Sequence, residues 1–166
     1  MLGKVRMTFI EKFTRYWLPV IFWMAIIFWM STETFSAQNT SFLMKRILPF
    51  LFPGISSQEL PLIHVLIRKA GHITEYFILG ILFFRALCGQ RTALWNWRWS
   101  FFALVGVVLW AAMDEFHQSF VPTRTGSLAD VGIDTAGGTL AQLVIILWLL
   151  YRRNRGTIIP AHFDPF

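Results

Sequence analysis

Ten polar or ionisable residues lie in or beside stretches of this sequence that are otherwise apolar enough to cross a membrane. They are Lys69, His72, Glu75, Asp114, Glu115, His117, Gln118, Arg124, Asp130 and Asp134. Ionisable side chains are costly in a membrane helix, so they usually face a protein interior or a wet cavity and mark a functional site. Carboxylates and imidazoles can exchange protons, and lysine and arginine can bind an anion such as phosphate. We therefore predict that the ten residues form one shared polar pocket.

The composition of the chain is that of a membrane protein. Of its 166 residues 55% are hydrophobic and only 14% are charged, with a mean hydropathy of +0.54, whereas a soluble domain carries roughly 25% charged residues. The net charge of +6 comes from short basic clusters beside apolar runs, which indicates topology signals and contact with membrane lipids, with no nucleic-acid partner. The single cysteine, Cys88, excludes an intrachain disulfide.

Four apolar segments approach or reach the roughly 17–25 residues that a membrane-spanning helix needs. They are residues 16–32, 66–87, 99–116 and 128–151. We predict an all-α integral membrane helical bundle with about four transmembrane helices.

These spans would form a single domain, residues 16–151, between a basic N-terminal segment, residues 1–15, and a basic tail, residues 152–166. The prolines of the connection 36–63 argue against a fifth span. We expect an interfacial or re-entrant segment there. Residues 4–15 could form a short basic amphipathic helix on the inner leaflet.

The distribution of basic residues predicts the orientation. Ten of the 15 lysines and arginines fall in the N-terminal segment, in the loop between the second and third spans, and in the tail. An even number of spans puts these three segments on one side, and an excess of Lys and Arg marks the cytoplasmic side. We therefore expect both termini in the cytoplasm.

The charged residues of three spans are expected at one depth. Asp114 comes 15 residues after Trp99, roughly 22 Å into a ~30 Å hydrocarbon core. Lys69 and Asp130 lie near the outer ends of their own spans. Within each span the polar residues recur three or four positions apart, so they share a helix face. These stripes are Lys69, His72 and Tyr76 beside Glu75; Asp114, His117 and Gln118; and Asp130 and Asp134.

Other residues near these stripes are assigned simpler roles. The small residues Gly132, Ala136, Gly137 and Ala141 are expected to pack helices closely. His64, just before the second span, is expected in a solvated loop. Asp114 and Glu115 are adjacent and point to different faces, so we expect only Asp114 to enter the pocket.

Two kinds of role suit the pocket residues. We assign proton transfer to Asp114, His117, Asp130 and His72, and binding to Lys69, Glu75, Glu115, Gln118, Arg124 and Asp134. The carboxylates could instead hold a divalent cation, and the sequence leaves the metal and any cofactor unknown. His117 could also be an interfacial histidine with its tip in water. The alternative for the whole set is an ion-pair network that only pins the helices together.

The same residues carry a resemblance to a known family. Lys69-Ala-Gly71-His72 with Glu75-Tyr76, Asp114-Glu115-Phe-His-Gln118, Pro122-Thr-Arg124, and Ser127-Leu-Ala-Asp130 with Asp134 follow one another in the order seen in the VanZ-like membrane protein family. The chain resembles this family over about residues 66–142. The resemblance implies a small multi-pass protein of the cytoplasmic membrane of a bacterium. It also implies a link to lowered susceptibility to teicoplanin-type lipoglycopeptides.

Three functions follow as hypotheses. In the first, an outward-facing pocket binds, and on one version modifies, a lipid-linked or cell-wall component or a lipoglycopeptide. In the second, the protein is a non-catalytic scaffold or shielding protein. In the third, Gly126, Asp130 and Asp134 reproduce the second half of a motif resembling CDP-alcohol phosphotransferases; the first half is absent, and the outward orientation does not suit a cytoplasmic nucleotide. Whether the protein is an enzyme is left open.

Overall fold

Helices make up most of the part of the chain that this computed structural model describes, residues 7–32, 37–51, 54, 56, 58–89, 96–122, 124 and 126–155. In chain order they are α1 (Phe9–Met30), α2 (Ala37–Leu51), α3 (Leu60–Cys88), α4 (Trp97–Gln118) and α5 (Leu128–Asn154). Helix α1 contains one π-helical stretch, Phe13–Trp17.

Four of these helices are long and apolar enough to cross a membrane, namely α1, α3, α4 and α5. The shortest of them have 22 residues, which at 1.5 Å per residue gives about 33 Å, more than the ~30 Å hydrocarbon core. Large apolar side chains remain exposed along them, among them Phe22, Leu109 and Leu147. In a bilayer such side chains face lipid. The prediction of an all-α bundle with four spans is confirmed.

Helices α1 and α3 begin six or more residues earlier than the hydropathy pattern suggests. Helix α1 starts at Phe9 behind a capping box, in which Thr8 and Glu11 bond to each other's backbone amides. The separate amphipathic helix expected at residues 4–15 is therefore wrong for residues 9–15, which continue into the first span; residues 4–6 lie outside the described part. Helix α3 starts at Leu60, six residues before the expected position, so that Pro61 lies in its first turn, where proline is tolerated.

The connection between the first two spans contains a helix of its own. Helix α2 has 15 residues, includes Pro49 near its end, and packs on α3. It is not among the helices that could cross a membrane. Leu48 is buried, whereas Phe42 and Phe50 are 69% and 84% exposed, so α2 is amphipathic. Its placement at a membrane interface remains a prediction.

Glycines allow α5 to approach its two neighbours. A Cβ on Gly137 would lie 2.4 Å from the Ile73 carbonyl oxygen of α3, and one on Gly138 would lie 2.7 Å from Val107 of α4. The prediction of close packing holds for Gly137 and for the buried Ala141. It is wrong for Gly132 and Ala136, which lie on the exposed face of α5. The buried face of α5 includes Asp134, Gly137 and Ala141.

Candidate functional site

Polar side chains from four helices meet at one end of the bundle. This end comprises the C-terminus of α1, the first half of α3, the C-terminus of α4 and the N-terminus of α5. Side-chain hydrogen bonds join α1 to α4 and α3 to α5 there. The helix ends meet because consecutive spans alternate in direction.

Asp114 is the centre of a buried network between α4 and the end of α1. Its Oδ2 accepts hydrogen bonds from the Ser31 hydroxyl at 2.7 Å and from the Gln118 amide at 2.9 Å. Asp114 and Gln118 are 2% and 3% exposed, and they lie four residues apart on one helix face. Ser31, which directly follows α1, was not recognised as a site residue from the sequence. The network joins two helix ends.

The loop between α4 and α5 is held against the same helix ends. Arg124 donates from one terminal nitrogen to the Met30 carbonyl at 2.7 Å and to the Thr32 carbonyl at 3.2 Å, and from the other to Gln118 at 3.4 Å. Burial, and then the nearby positive charge of Arg68, lowers the pKa of Arg124 from its ordinary value. An arginine keeps its proton in proteins, so Arg124 remains a cation.

Glu115 fixes the start of α5. Its Oε2 accepts the backbone amide of Ser127 at 2.8 Å, and the Ser127 hydroxyl accepts the amide of Ala129, which caps the helix. Gly126 lies so close to α4 that a Cβ there would be 2.5 Å from the Glu115 carbonyl oxygen. Glu115 was predicted to bind a substrate; the structure gives it a contact that positions the loop.

Two pairs connect α3 to α5. Lys69 Nζ lies 2.9 Å from Asp130 Oδ1, with both side chains more than a third exposed. His72 Nδ1 lies 3.2 Å from Asp134 Oδ1, with His72 19% exposed and Asp134 not exposed. The first pair is a surface ion pair. The second holds an imidazole against a carboxylate that has no access to solvent.

A cavity of about 160 Å³ opens between the end of α1, α2, α3 and the α4–α5 loop. Its polar lining combines basic groups with one acid: Ser31, Thr40, His64, Arg68, His72, Glu75 and Arg124. Met30 and Ile67 add apolar surface. In the described part of the chain neither Arg68 nor Arg124 forms an ion pair with a carboxylate.

The structure divides the ten predicted residues among several environments. His72, Glu75 and Arg124 line the cavity. Asp114 and Gln118 form the buried network, Glu115 holds the loop, and Lys69, Asp130 and Asp134 are engaged in pairs with their neighbours on the other helix. His117 stacks on Phe28 with ring centroids 4.4 Å apart and does not line the cavity. The ten residues therefore do not line a single pocket as expected. Three of them line the cavity, and others form a shell of buried polar contacts beside it.

Sequence reasoning missed two basic residues of the cavity. Arg68 is absent from the ten residues predicted to form the pocket. The solvated loop expected at His64 is wrong, because His64 lies within α3 and contacts Thr40 at 3.1 Å. His64, Arg68, His72 and Glu75 recur at spacings of four, four and three, which is one helix face. The expected start at residue 66 cut this stripe in two.

Buried polar atoms in the shell lack a partner within the described residues. They are Tyr76 Oη, Asp114 Oδ1, His117 Nδ1, Arg124 Nε and Asp134 Oδ2. Buried polar groups are normally hydrogen-bonded, often to ordered water. This end of the bundle therefore has hydrogen-bonding capacity that the described side chains do not use.

The described side chains do not form a metal centre. Among them, no three His, Cys, Asp or Glu groups come together in a way that could hold an ion. Asp130 and Asp134, the second half of the phosphotransferase-like motif, instead engage Lys69 and His72.

The exposed pair Lys69–Asp130 provides a first prediction. Replacing Asp130 with alanine should lower the free energy of unfolding by at most about 1 kcal/mol, because exposed ion pairs contribute little. The swapped double variant, Lys69→Asp with Asp130→Lys, should recover most of that loss. Unfolding in mixed detergent micelles measures both. A loss above about 2 kcal/mol for Asp130→Ala would contradict the surface assignment.

Comparison with known proteins assigns the family. A model of the family described as VanZ/LLP1 matches residues 16–150, which is more than half of the chain and includes residues of all four spans. No curated protein and no solved structure matches the chain. With its four apolar helices and its polar cluster at one end, the chain belongs to the VanZ/LLP1 family of membrane proteins.

Proposed function

We propose that the cavity binds the anionic headgroup of a lipid or of a lipid-linked envelope component on the non-cytoplasmic side of a bacterial cytoplasmic membrane. The observation that carries this proposal is the presence of two guanidinium groups, Arg68 and Arg124, in one cavity without a carboxylate bonded to either among the described residues. A phosphate group is the partner that such a pair favours, since guanidinium matches its geometry with paired N–H donors.

Arg124 is positioned for this role by the protein itself. Three of its N–H groups point to the Met30 and Thr32 carbonyls and to Gln118. A guanidinium has five N–H donors, and the Nε–H of Arg124 is buried, so one terminal N–H remains for a ligand. Arg68 makes no hydrogen bond to any of the described residues, so none of them holds its guanidinium in place. One arginine is therefore fixed in advance, and the other can adjust to the ligand.

The surroundings of the cavity favour a lipid over a free anion. Met30 and Ile67 line it, and the neighbouring α2 and α3 expose apolar side chains, among them Phe50, Leu62 and Leu66. A headgroup in the cavity would leave its acyl or prenyl chain against this apolar surface. Burial of each CH₂ contributes about 0.8 kcal/mol, which a free anion would lack.

The opposite end of the bundle supports the orientation. Arginines there lie over aromatic rings: Arg85 over Tyr16, Arg98 over Trp97 and Arg152 over Trp148. Basic residues with interfacial aromatics are typical of the cytoplasmic boundary. With that end inside, the cavity faces outward, where cell-wall precursors and lipoglycopeptides are found. We therefore expect the protein to affect the susceptibility of the cell to glycopeptides.

Binding of a defined lipid phosphate tests the proposal. Purified protein in neutral detergent should bind farnesyl monophosphate, and Arg68→Gln should weaken that binding about tenfold, which corresponds to about 1.4 kcal/mol. Arg46→Gln is the matched control, since Arg46 lies on α2 with its guanidinium over Phe42 and does not line the cavity. Isothermal titration calorimetry measures the affinities, with phosphatidylcholine and inorganic phosphate as comparison ligands.

The outcomes are distinct. Equal weakening by Arg68→Gln and Arg46→Gln would mean that overall charge, and not the cavity, attracts the lipid. Equal affinity for phosphatidylcholine would contradict selection of an anionic headgroup. If the protein bound inorganic phosphate tightly but did not bind farnesyl monophosphate, the anion site would stand and a lipid ligand would be contradicted.

A structural scaffold is the second candidate, and a specific observation favours it. Eight of the ten predicted residues form hydrogen bonds or ion pairs that join helices or hold the α4–α5 loop: Lys69, His72, Asp114, Glu115, Gln118, Arg124, Asp130 and Asp134. A scaffold would bind none of the lipid phosphates above. The same calorimetric experiment therefore separates the two functions.

A further inference from the structure

His72 and Asp134 form a dyad that links α3 to α5 and whose geometry also suits proton transfer. Asp134 has no exposed surface and lies 3.2 Å from Nδ1 of His72. The same histidine lines the cavity. Its Nε2 is not among the buried unpartnered atoms and bonds to none of the described residues. A carboxylate on one ring nitrogen fixes the imidazole and leaves the other nitrogen for proton transfer.

The other groups around this nitrogen suit one kind of chemistry. Arg68 and Arg124 line the same cavity and can stabilise charge on a phosphoryl group, which is the main requirement of phosphoryl transfer. Glu75, one helical turn after His72, also lines the cavity, and its carboxylate forms no hydrogen bond with the described residues. The cavity thus combines two anion-binding groups, an oriented imidazole and an acid that has no hydrogen-bond partner among the described residues.

We propose that the cavity hydrolyses a phosphoanhydride, the terminal bond of a lipid diphosphate, with His72 as general base and Asp134 as its positioning residue. This inference rests on the proposed headgroup site. A water oxygen forms a bond to the terminal phosphorus while His72 Nε2 takes a proton from that water. The bond from phosphorus to the bridging oxygen breaks, and its electron pair leaves on the lipid monophosphate. The products are the lipid monophosphate and inorganic phosphate, and the imidazolium returns its proton to solvent.

A phosphoanhydride fits the cavity better than a phosphoester of an alcohol. A departing phosphate is already an anion that the two guanidinium groups can stabilise, so it leaves without taking up a proton. An alkoxide would require a proton donor aligned on the leaving oxygen. Among the described residues that line the cavity, His72 is the one imidazole with a carboxylate partner, and the proposed step uses it as a base.

Phosphate release by purified protein tests the step. The full chain in detergent should release inorganic phosphate from farnesyl diphosphate, and His72→Gln should lower kcat at least 100-fold, the range of a lost general base. KM and the affinity for farnesyl monophosphate should change less than threefold. Asp134→Asn should also lower kcat strongly, because an amide can hold the ring in the wrong tautomer, whereas Asp134→Glu should recover part of the rate. Inorganic pyrophosphate as substrate distinguishes a free anhydride from a lipid one.

The results separate this inference from the proposed function. Protein that binds farnesyl monophosphate through Arg68 but releases no phosphate would overturn hydrolysis and leave the headgroup site in place. Unchanged kcat in His72→Gln would overturn the role of the dyad. Absence of lipid phosphate binding by the unaltered protein would remove the proposed function as well. Retained affinity in His72→Gln shows that the variant is folded, so a lost rate is chemical. Equal loss of affinity and rate would make the dyad structural and contradict the proposal.

Discussion

Replacing Gly137 with alanine is expected to lower the free energy of unfolding by about 2–3 kcal/mol, since overpacking of a tight interior costs about 1–3 kcal/mol and sometimes more. The added Cβ would lie 2.4 Å from the carbonyl oxygen of Ile73. That atom belongs to the backbone of α3, which cannot rotate away as a side chain could. Helices α3 and α5 would have to separate. Because His72 lies one residue before Ile73, the separation would also disturb its contact with Asp134.

The same helix provides the control for this prediction. Gly132 has nothing within 4 Å of the position that a Cβ would occupy. Gly132→Ala should therefore change the unfolding free energy by less than about 1 kcal/mol, and in the stabilising direction because alanine is the better helix former. Both values come from unfolding in mixed detergent micelles. Equal effects at the two glycines would contradict the close approach of α3 and α5.

Replacing Asp114 with alanine should cost about 2–4 kcal/mol of unfolding free energy, because each buried donor left without a partner costs about 1–3 kcal/mol. The carboxylate accepts bonds from Ser31 and Gln118, both 3% exposed. Its loss would leave the Ser31 hydroxyl without its acceptor and the Gln118 amide with only the longer bond to the Ser31 oxygen at 3.3 Å. It would also open space between the ends of α1 and α4.

Two further variants show which property of Asp114 matters. Asp114→Asn keeps the shape and one acceptor, so it should recover at least half of the loss if hydrogen bonding dominates. Ser31→Ala combined with Asp114→Ala should cost less than the sum of the single changes, since the two groups interact directly. Additive losses in that double-mutant cycle would rule out a shared network.

Helices and their order could be predicted from the sequence because hydropathy is a local property. A span is recognised from the transfer free energies of its own residues, independent of its neighbours. Four spans were found in this way, and the segment containing α2 was correctly kept out of that set. The errors were at the ends. Helix α3 begins at Leu60 because Pro61 suits a first helical turn, a signal that mean hydropathy does not contain.

Which residues line the cavity was harder to predict from the sequence. Lys69 and Arg68 are neighbours in the sequence and equally basic. One residue of an α-helix turns the side chain by about 100°, so Arg68 lines the cavity while Lys69 reaches Asp130 on α5. The stripe that begins with Lys69 and the stripe that begins with His64 are both regular in spacing. The sequence contains no measure of which stripe faces the cavity.

The sequence by itself determined that this protein is a helical membrane bundle in which the acidic residues of three spans are concentrated near one end. The free energy of transfer of a segment into lipid is the sum of contributions from its own residues, so the sequence is enough to estimate it. Only the tertiary structure decided which of those residues meet, because the rotation of each helix is fixed by contacts between distant segments. Gly137 against the backbone of Ile73 is one such contact. It brings α5 close to α3 beside the point where Asp134 reaches His72.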